Sequence, residues 1–170
     1  MNTPICAFDA KIGILCPKCD AKLKGGSISK IDVDASMKLV KLAEKHSEID
    51  EIDLLRAFEV DGDYVLVLKT GDPLSLRANS SLGKLVESEF DRKVWMIEGD
   101  GTDRRVLEDL FFPLKLLTVN IVWLPDGSKL TRVIISGKRT DNSHVDLGQS
   151  KRIMKDVRGM DLIVEFEKKE

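Results

Sequence analysis

Aromatic residues are scarce in this chain: one Tyr, two Trp and six Phe amount to 5% of 170 residues. Both tryptophans, Trp95 and Trp123, fall in apolar strand patterns, which reads them as core residues rather than as platforms for a ligand. Histidine is scarcer still, with two in the whole sequence. His46 follows the apolar positions Leu42 and Ala43 and reads as the edge of a helix face, while His144 lies in a polar stretch. A catalytic metal site needs an open coordination position beside a general base, and neither histidine stands near a cluster that supplies one. A nucleophile–base pair and a phosphate-binding glycine-rich loop are missing too, so an enzyme is not expected. No apolar run approaches the roughly 18 to 20 residues of a membrane-spanning helix, and the N-terminus lacks the basic stretch and apolar core of a secretory signal. The expected location is the cytoplasm, away from membranes. Three cysteines, all within Cys6 to Cys19, are an odd number in a reducing compartment, which makes a disulfide framework the weaker reading.

What the chain does contain is a repeat. Hydrophobic residues make up 42% and charged residues 33%, enough apolar material for a folded protein and too much for bulk disorder. From Asp32 to Glu98 the pattern reads helix, strand, strand, helix, strand. Val33, Met37, Val40 and Ala43 recur at helical spacing, in a helical run that ends near Ser47. The strand from Ile52 to Phe58 follows, with Ile52, Leu54, Arg56, Phe58 and Val60 alternating onto one face. A turn at Asp61-Gly62-Asp63 leads into the wholly apolar Tyr64 to Leu68, then a helix with Leu82, Leu85, Val86 and Phe90, then Val94 to Ile97. The same order returns from Asp103 to Glu167: a helix through Val106, Leu107, Leu110 and Phe111, a strand Val119 to Trp123, and a turn at Pro125-Asp126-Gly127. A strand Leu130 to Ile135, a helix with Ile153, Met154 and Val157, and a strand Leu162 to Val164 complete it. Two small units of this kind imply a paired surface. The expected fold class is α+β, each unit a three-stranded sheet backed by helices, with boundaries at 1–26, 27–100 and 101–170.

Residues 1–26 carry the chemistry that stands out. Cys16-Pro-Lys-Cys19 places two thiols where a tight turn brings both to one metal ion, and Cys6-Ala-Phe-Asp9 repeats the spacing with a carboxylate in the fourth place. Three readings compete: a structural zinc ion held by Cys6, Asp9, Cys16 and Cys19, no metal, and a redox pair. A redox Cys-x-x-Cys is expected at the head of a helix in a thioredoxin-like unit, which the flanking residues do not provide. Gly25-Gly26 reads as a flexible boundary about which this head pivots.

The net charge of −2 hides an uneven distribution. Residues 1–30 hold five Lys against two Asp, a balance of +3; residues 31–128 stand at −8; residues 129–158, with eight basic against three acidic side chains, stand at +5. Either basic segment is able to face phosphate, with a solvated charged surface as the competing reading. Lys151, Lys155 and Arg158 share one helix face at spacings of four and three.

The order of elements resembles the type II KH domain, a binder of single-stranded RNA, and the tandem arrangement resembles the archaeal NusA-like transcription factors. The residues that carry the resemblance are Ile12-Gly-Ile-Leu-Cys-Pro-Lys-Cys19, Arg105-Val-Leu-Glu-Asp-Leu-Phe-Phe-Pro113 and Val119-Asn-Ile-Val-Trp-Leu-Pro-Asp-Gly127. The resemblance implies two tandem KH-like (type II) units behind an N-terminal zinc knuckle, single-stranded RNA as partner, and RNA polymerase or the ribosome as protein neighbour. It implies no readout of DNA sequence. KH domains clamp the RNA backbone with a Gly-x-x-Gly loop between two helices, and both units depart from that pattern. In the first, the corresponding place reads Leu76-Arg-Ala-Asn-Ser80, making Arg77, Asn79, Ser80 and the nearby Lys84 the implied contacts; Asn tolerates a left-handed backbone and Ser caps a helix. An ordinary polar helix cap is the competing reading. In the second, Gly137, Lys138 and Arg139 precede a helix bearing Lys151, Lys155 and Arg158. The alternative is a protein-interaction scaffold whose degenerate clamps no longer hold RNA.

Overall fold

The computed structural model describes residues 1–138 and 146–168. It has two compact units, Met1–Gly101 and Thr102–Glu170. The first begins with two short helices, α1 (Ala7–Ile12) and α2 (Pro17–Lys24), and continues through α3 (Lys30–Ala43), α4 (Ser47–Asp50), β1 (Leu54–Val60), β2 (Asp63–Leu68), α5 (Asp72–Ala78), α6 (Ser80–Phe90) and β3 (Val94–Glu98). The second comprises α7 (Asp103–Phe111), β4 (Leu116–Trp123), β5 (Lys129–Ile135), α8 (Leu147–Arg158) and β6 (Leu162–Phe166). Each unit has one three-stranded sheet, ordered β1-β2-β3 and β4-β5-β6. In both, the first two strands are antiparallel and the second and third are parallel. A parallel pair requires a crossover, which α5 and α6 supply in the first unit and α8 in the second.

β2 lies in the middle of its sheet, and five of its six residues are buried, as a strand covered on both faces requires. Its side chains join Leu39 and Leu42 of α3, Leu76 of α5, and Leu82, Val86 and Phe90 of α6 in one apolar cluster. In the second unit Val106, Leu107, Leu110 and Phe111 of α7, Val133 and Ile135 of β5, and Ile153 and Met154 of α8 are each at most 1% exposed.

Several local expectations are corrected. The first long helix stops at Ala43, and His46 instead precedes the short α4. A further helix, α5, stands between β2 and α6, entered through Gly71 at φ 92 with Pro73 in its first turn. β1 does not alternate: its register with β2 slips between Leu54 and Arg56, so Leu54, Ala57 and Val60 are buried while Arg56 is exposed. A one-residue irregularity exchanges the two faces of a strand, and strict period-two reading fails beyond it. Residues 1–26 are not set apart at Gly25-Gly26. Ile5, Ala10, Cys19 and Ile28 form a cluster with Val40 of α3, against which Val33 and Met37 also pack.

α3 is tied down at its first turn by Asp32, which is fully buried. Its carboxylate and Ser29 form a reciprocal capping box. The same carboxylate accepts the Ala57 N–H at 2.6 Å and meets Arg56 Nε at 3.3 Å, so the helix start and the irregular part of β1 share one acceptor. Asp32→Ala leaves the Ala57 N–H buried without a partner and removes the carboxylate half of the capping box, for an expected loss of about 2–4 kcal/mol. Urea unfolding followed by circular dichroism checks this, with Asp20→Ala, which removes only an exposed pair to Lys24, expected to leave the midpoint unchanged.

Candidate metal centre and nucleic-acid contacts

Cys6 and Cys16 occupy equivalent places in the fold: each is the residue that caps the start of a short helix, with extended backbone and no side-chain cap bond. Their thiols are therefore not engaged by the helix ends. Asp9 and Cys19 stand three residues on, in the first turns of α1 and α2. The helices are cross-linked through these positions. The Cys6 N–H donates to Cys19 Sγ at 3.4 Å, and the Cys16 N–H donates to Asp9 Oδ2 at 2.9 Å. Each of these amides thus serves a candidate ligand residue of the opposite helix.

The result is a convergent set. One ligand atom from each of Cys6, Asp9, Cys16 and Cys19 lies within 4.8 Å of the others, close enough to hold a metal ion. Metal–sulfur bonds of about 2.3 Å in a tetrahedron give ligand–ligand edges of roughly 3.8 Å, so small side-chain adjustments bring all four donors onto one ion. Asp9 is 1% and Cys19 3% exposed, whereas Cys6 reaches the surface. The Cys16 amide holds the Asp9 carboxyl down at about 2 against the opposing effect of burial, and thiol hydrogen bonds assist it. For Cys19 the Cys6 amide favours the thiolate, but burial and the neighbouring Asp9, Cys16 and Cys6 prevail and push the thiol up to about 12. A charged Asp9 carboxylate thus stands beside a Cys19 thiol that holds its proton. A cleft of about 690 Å³ opens beside the sulfurs and is flanked by Lys18 and Lys22 of α2.

The residues implied as RNA contacts are distributed over both units. Asn79 and Ser80 are exposed at the turn between α5 and α6. Asn79 has φ −113, so it does not adopt the left-handed conformation anticipated for it, and it accepts the Ser81 hydroxyl at 2.6 Å. Arg77 donates back to the Pro73 carbonyl in its own helix at 3.1 Å, while Lys84 is exposed on α6. In the second unit Gly137 takes φ 94, and Lys138 is exposed after it. Arg139 and His144 lie outside the described residues.

Along α8 the expected cationic face is partly engaged within the protein. Lys155 pairs with Asp161 at 2.8 Å and Arg158 with Asp103 at 3.0 Å, while Lys151 is exposed. Nothing in the helical spacing marks those acidic partners, because Asp103 lies 55 residues away in sequence. Trp95 is buried, its indole N–H donating to Asp63 at 3.0 Å, but Trp123 is 65% exposed, a correction to its reading as core. It sits at the hairpin end of β4, where Ile121 is also more than half exposed.

A divalent ion entering the cysteine site must displace thiol protons, whereas Asp9 is already charged at neutral pH and contributes none. Cobalt(II) titration followed through its visible bands is therefore expected to show apparent affinity weakening about tenfold per displaced proton for each unit the pH falls. The same titration of Cys16→Ser is expected to lose most of the signal. Affinity flat between pH 6 and pH 8 is the contrary result.

No family model matches the chain, and no curated protein matches it. Among solved structures it is similar to APE1850, with a TM-score of 0.48 and 14% sequence identity, over 74% of this chain and 94% of that one.

Proposed function

We propose that this protein is a non-catalytic, single-stranded RNA-binding accessory factor of transcription elongation or termination, of the NusA-like class, whose N-terminal head is built around a structural zinc ion. The observation that carries the RNA reading is the turn at Asn79-Ser80. It lies between two helices on the crossover from β2 to β3, in a helix-strand-strand-helix-helix-strand unit. A type II KH domain offers its backbone-contacting loop at that point, and the second unit shares the strand order and directions. The exposed groups at the turn, Asn79 and Ser80, are small and polar, with Lys84 one helical turn on. Phosphates approach such a helix start through backbone N–H groups. On α8, Lys155 and Arg158 belong to exposed pairs, which are weak enough for a phosphate to compete with. Lys151 needs no such exchange.

For the head, three sulfurs and one carboxylate around a single position suit zinc, with every donor supplied by protein and no open coordination site. The ion's role is then to hold α1 and α2 together, not to activate water.

A second reading, in which the units dock on a protein, is favoured by those same pairs on α8 and by the −8 balance of residues 31–128. Filter binding of RNase-treated, repurified protein to a single-stranded RNA over a salt series separates the two. The RNA reading predicts affinity that falls with salt at a log–log slope of about −0.7 per phosphate contact, and a loss of roughly tenfold in the Lys84→Glu, Lys151→Glu double variant. Binding that stays millimolar, or that ignores both salt and the substitutions, favours the scaffold.

A further inference from the structure

The two sheets have the same topology but guard their first strands differently. β1 is an edge strand that carries Arg56 and Glu59, engaged by Asp32 and Arg92, and its Leu54 N–H is covered by the Asn2 carbonyl at 2.9 Å. β4 occupies the equivalent edge with none of these devices. After an irregularity at Leu116/Thr118, it runs Thr-Val-Asn-Ile-Val-Trp from 118 to 123 without a charge or a proline. Natural sheets blunt such edges with charge, proline or a covering segment, because a bare row of N–H and C=O groups templates a further strand. Among the described residues, no hydrogen bond reaches the outer edge of Thr118–Trp123. Ile121 is 60%, Val122 37% and Trp123 65% exposed, so both faces of this stretch lack cover. Lys129, its partner across the hairpin, lies 4.5 Å over the Trp123 ring and shields one side of it.

We propose that β4 pairs antiparallel with β4 of a second copy of this chain, joining two three-stranded sheets into one of six strands. Self-pairing suits this strand for a reason of charge. About a two-fold axis at Ile121, Ile121 opposes its own copy and Val119 opposes Trp123, so within the uncharged stretch no like charges oppose each other. At the ends, Lys115 precedes the strand and Asp126 follows it in the hairpin turn, so antiparallel pairing brings opposite charges to the same end of the joined strands, twice by symmetry. Both are exposed. The outward backbone groups of each strand then find partners.

Sedimentation velocity on the full chain, RNase-treated and taken from micromolar to several hundred micromolar, is expected to show a monomer–dimer equilibrium. Ile121→Lys and Trp123→Lys replace side chains that are more than half exposed and place cations near the axis or against an apolar neighbour. Each is expected to weaken dimerisation at least about tenfold while leaving circular dichroism unchanged. Hydrogen exchange on the unmodified chain gives an independent reading, with alternate amides of Thr118–Trp123 protected at high concentration and exchanging on dilution. A monomer at the highest concentration overturns the proposal. So does a dimer that survives both substitutions, or one whose β4 amides exchange as fast as in the monomer. RNA association by the filter assay is indifferent to these outcomes, so the two proposals fail separately.

Discussion

Two backbone amides hold the N-terminal head of this molecule in shape. The N–H groups of Cys6 and Cys16, the residues that precede α1 and α2, donate across to Cys19 and Asp9 of the other helix. This reciprocity links α1 to α2 where four donors converge, and keeps Asp9 charged although it is almost wholly buried. A cysteine in its place would lack the second acceptor atom that lets a carboxylate take the Cys16 amide with one oxygen and offer the other to an ion. The apolar residues around these positions, Ile5, Ala10 and Ile28, then seat the head on α3 through Val40. Because α3 is itself pinned to β1 by Asp32, the cluster of Cys6, Asp9, Cys16 and Cys19 is connected to the first sheet by packing and buried hydrogen bonds.

Repetition of topology has not meant repetition of surface. The first unit places charge on its edge strand and engages it at once with Asp32 and Arg92, whereas the second exposes Ile121 and Trp123 along the strand in the same position. Cations are likewise unequal. Lys155 and Arg158 of α8 are engaged with Asp161 and Asp103, while Lys18 and Lys22 of α2 line the cleft by the sulfurs. Four anionic ligands on a divalent ion leave two negative charges, and these lysines stand where they offset them. One fold thus supports different surfaces in its two copies, and any RNA or protein partner meets them unequally.

The order of strands and helices was legible because it rests on periodicity. Leu82, Val86 and Phe90 recur as a helix face must, and Tyr64 to Leu68 form the unbroken apolar run of a middle strand. The convergence of Cys6, Asp9, Cys16 and Cys19 was legible as well, since two matched three-residue spacings within the first nineteen residues suffice to suggest it. Features set by distant partners were not. The irregularity in β1 answers to an acceptor 25 residues earlier in the chain. The pairing of Arg158 depends on where α7 starts, and the exposure of Trp123 depends on how far the helices extend along the sheet. An apolar strand pattern is the same whether or not something covers it. α5 escaped notice because Asp72-Pro73-Leu-Ser is as good a turn as a helix start until Leu76 finds a core to enter.

X-ray absorption at the zinc edge of the purified full-length chain tests the central claim most directly, since it counts the atoms bound to the ion. The cross-donated arrangement of Cys6, Asp9, Cys16 and Cys19 predicts three sulfurs at about 2.3 Å and one oxygen at about 2.0 Å, a pattern reduced to two sulfurs by Cys19→Ser. A shell of nitrogen and oxygen alone, or protein isolated without zinc that takes up none, would contradict it.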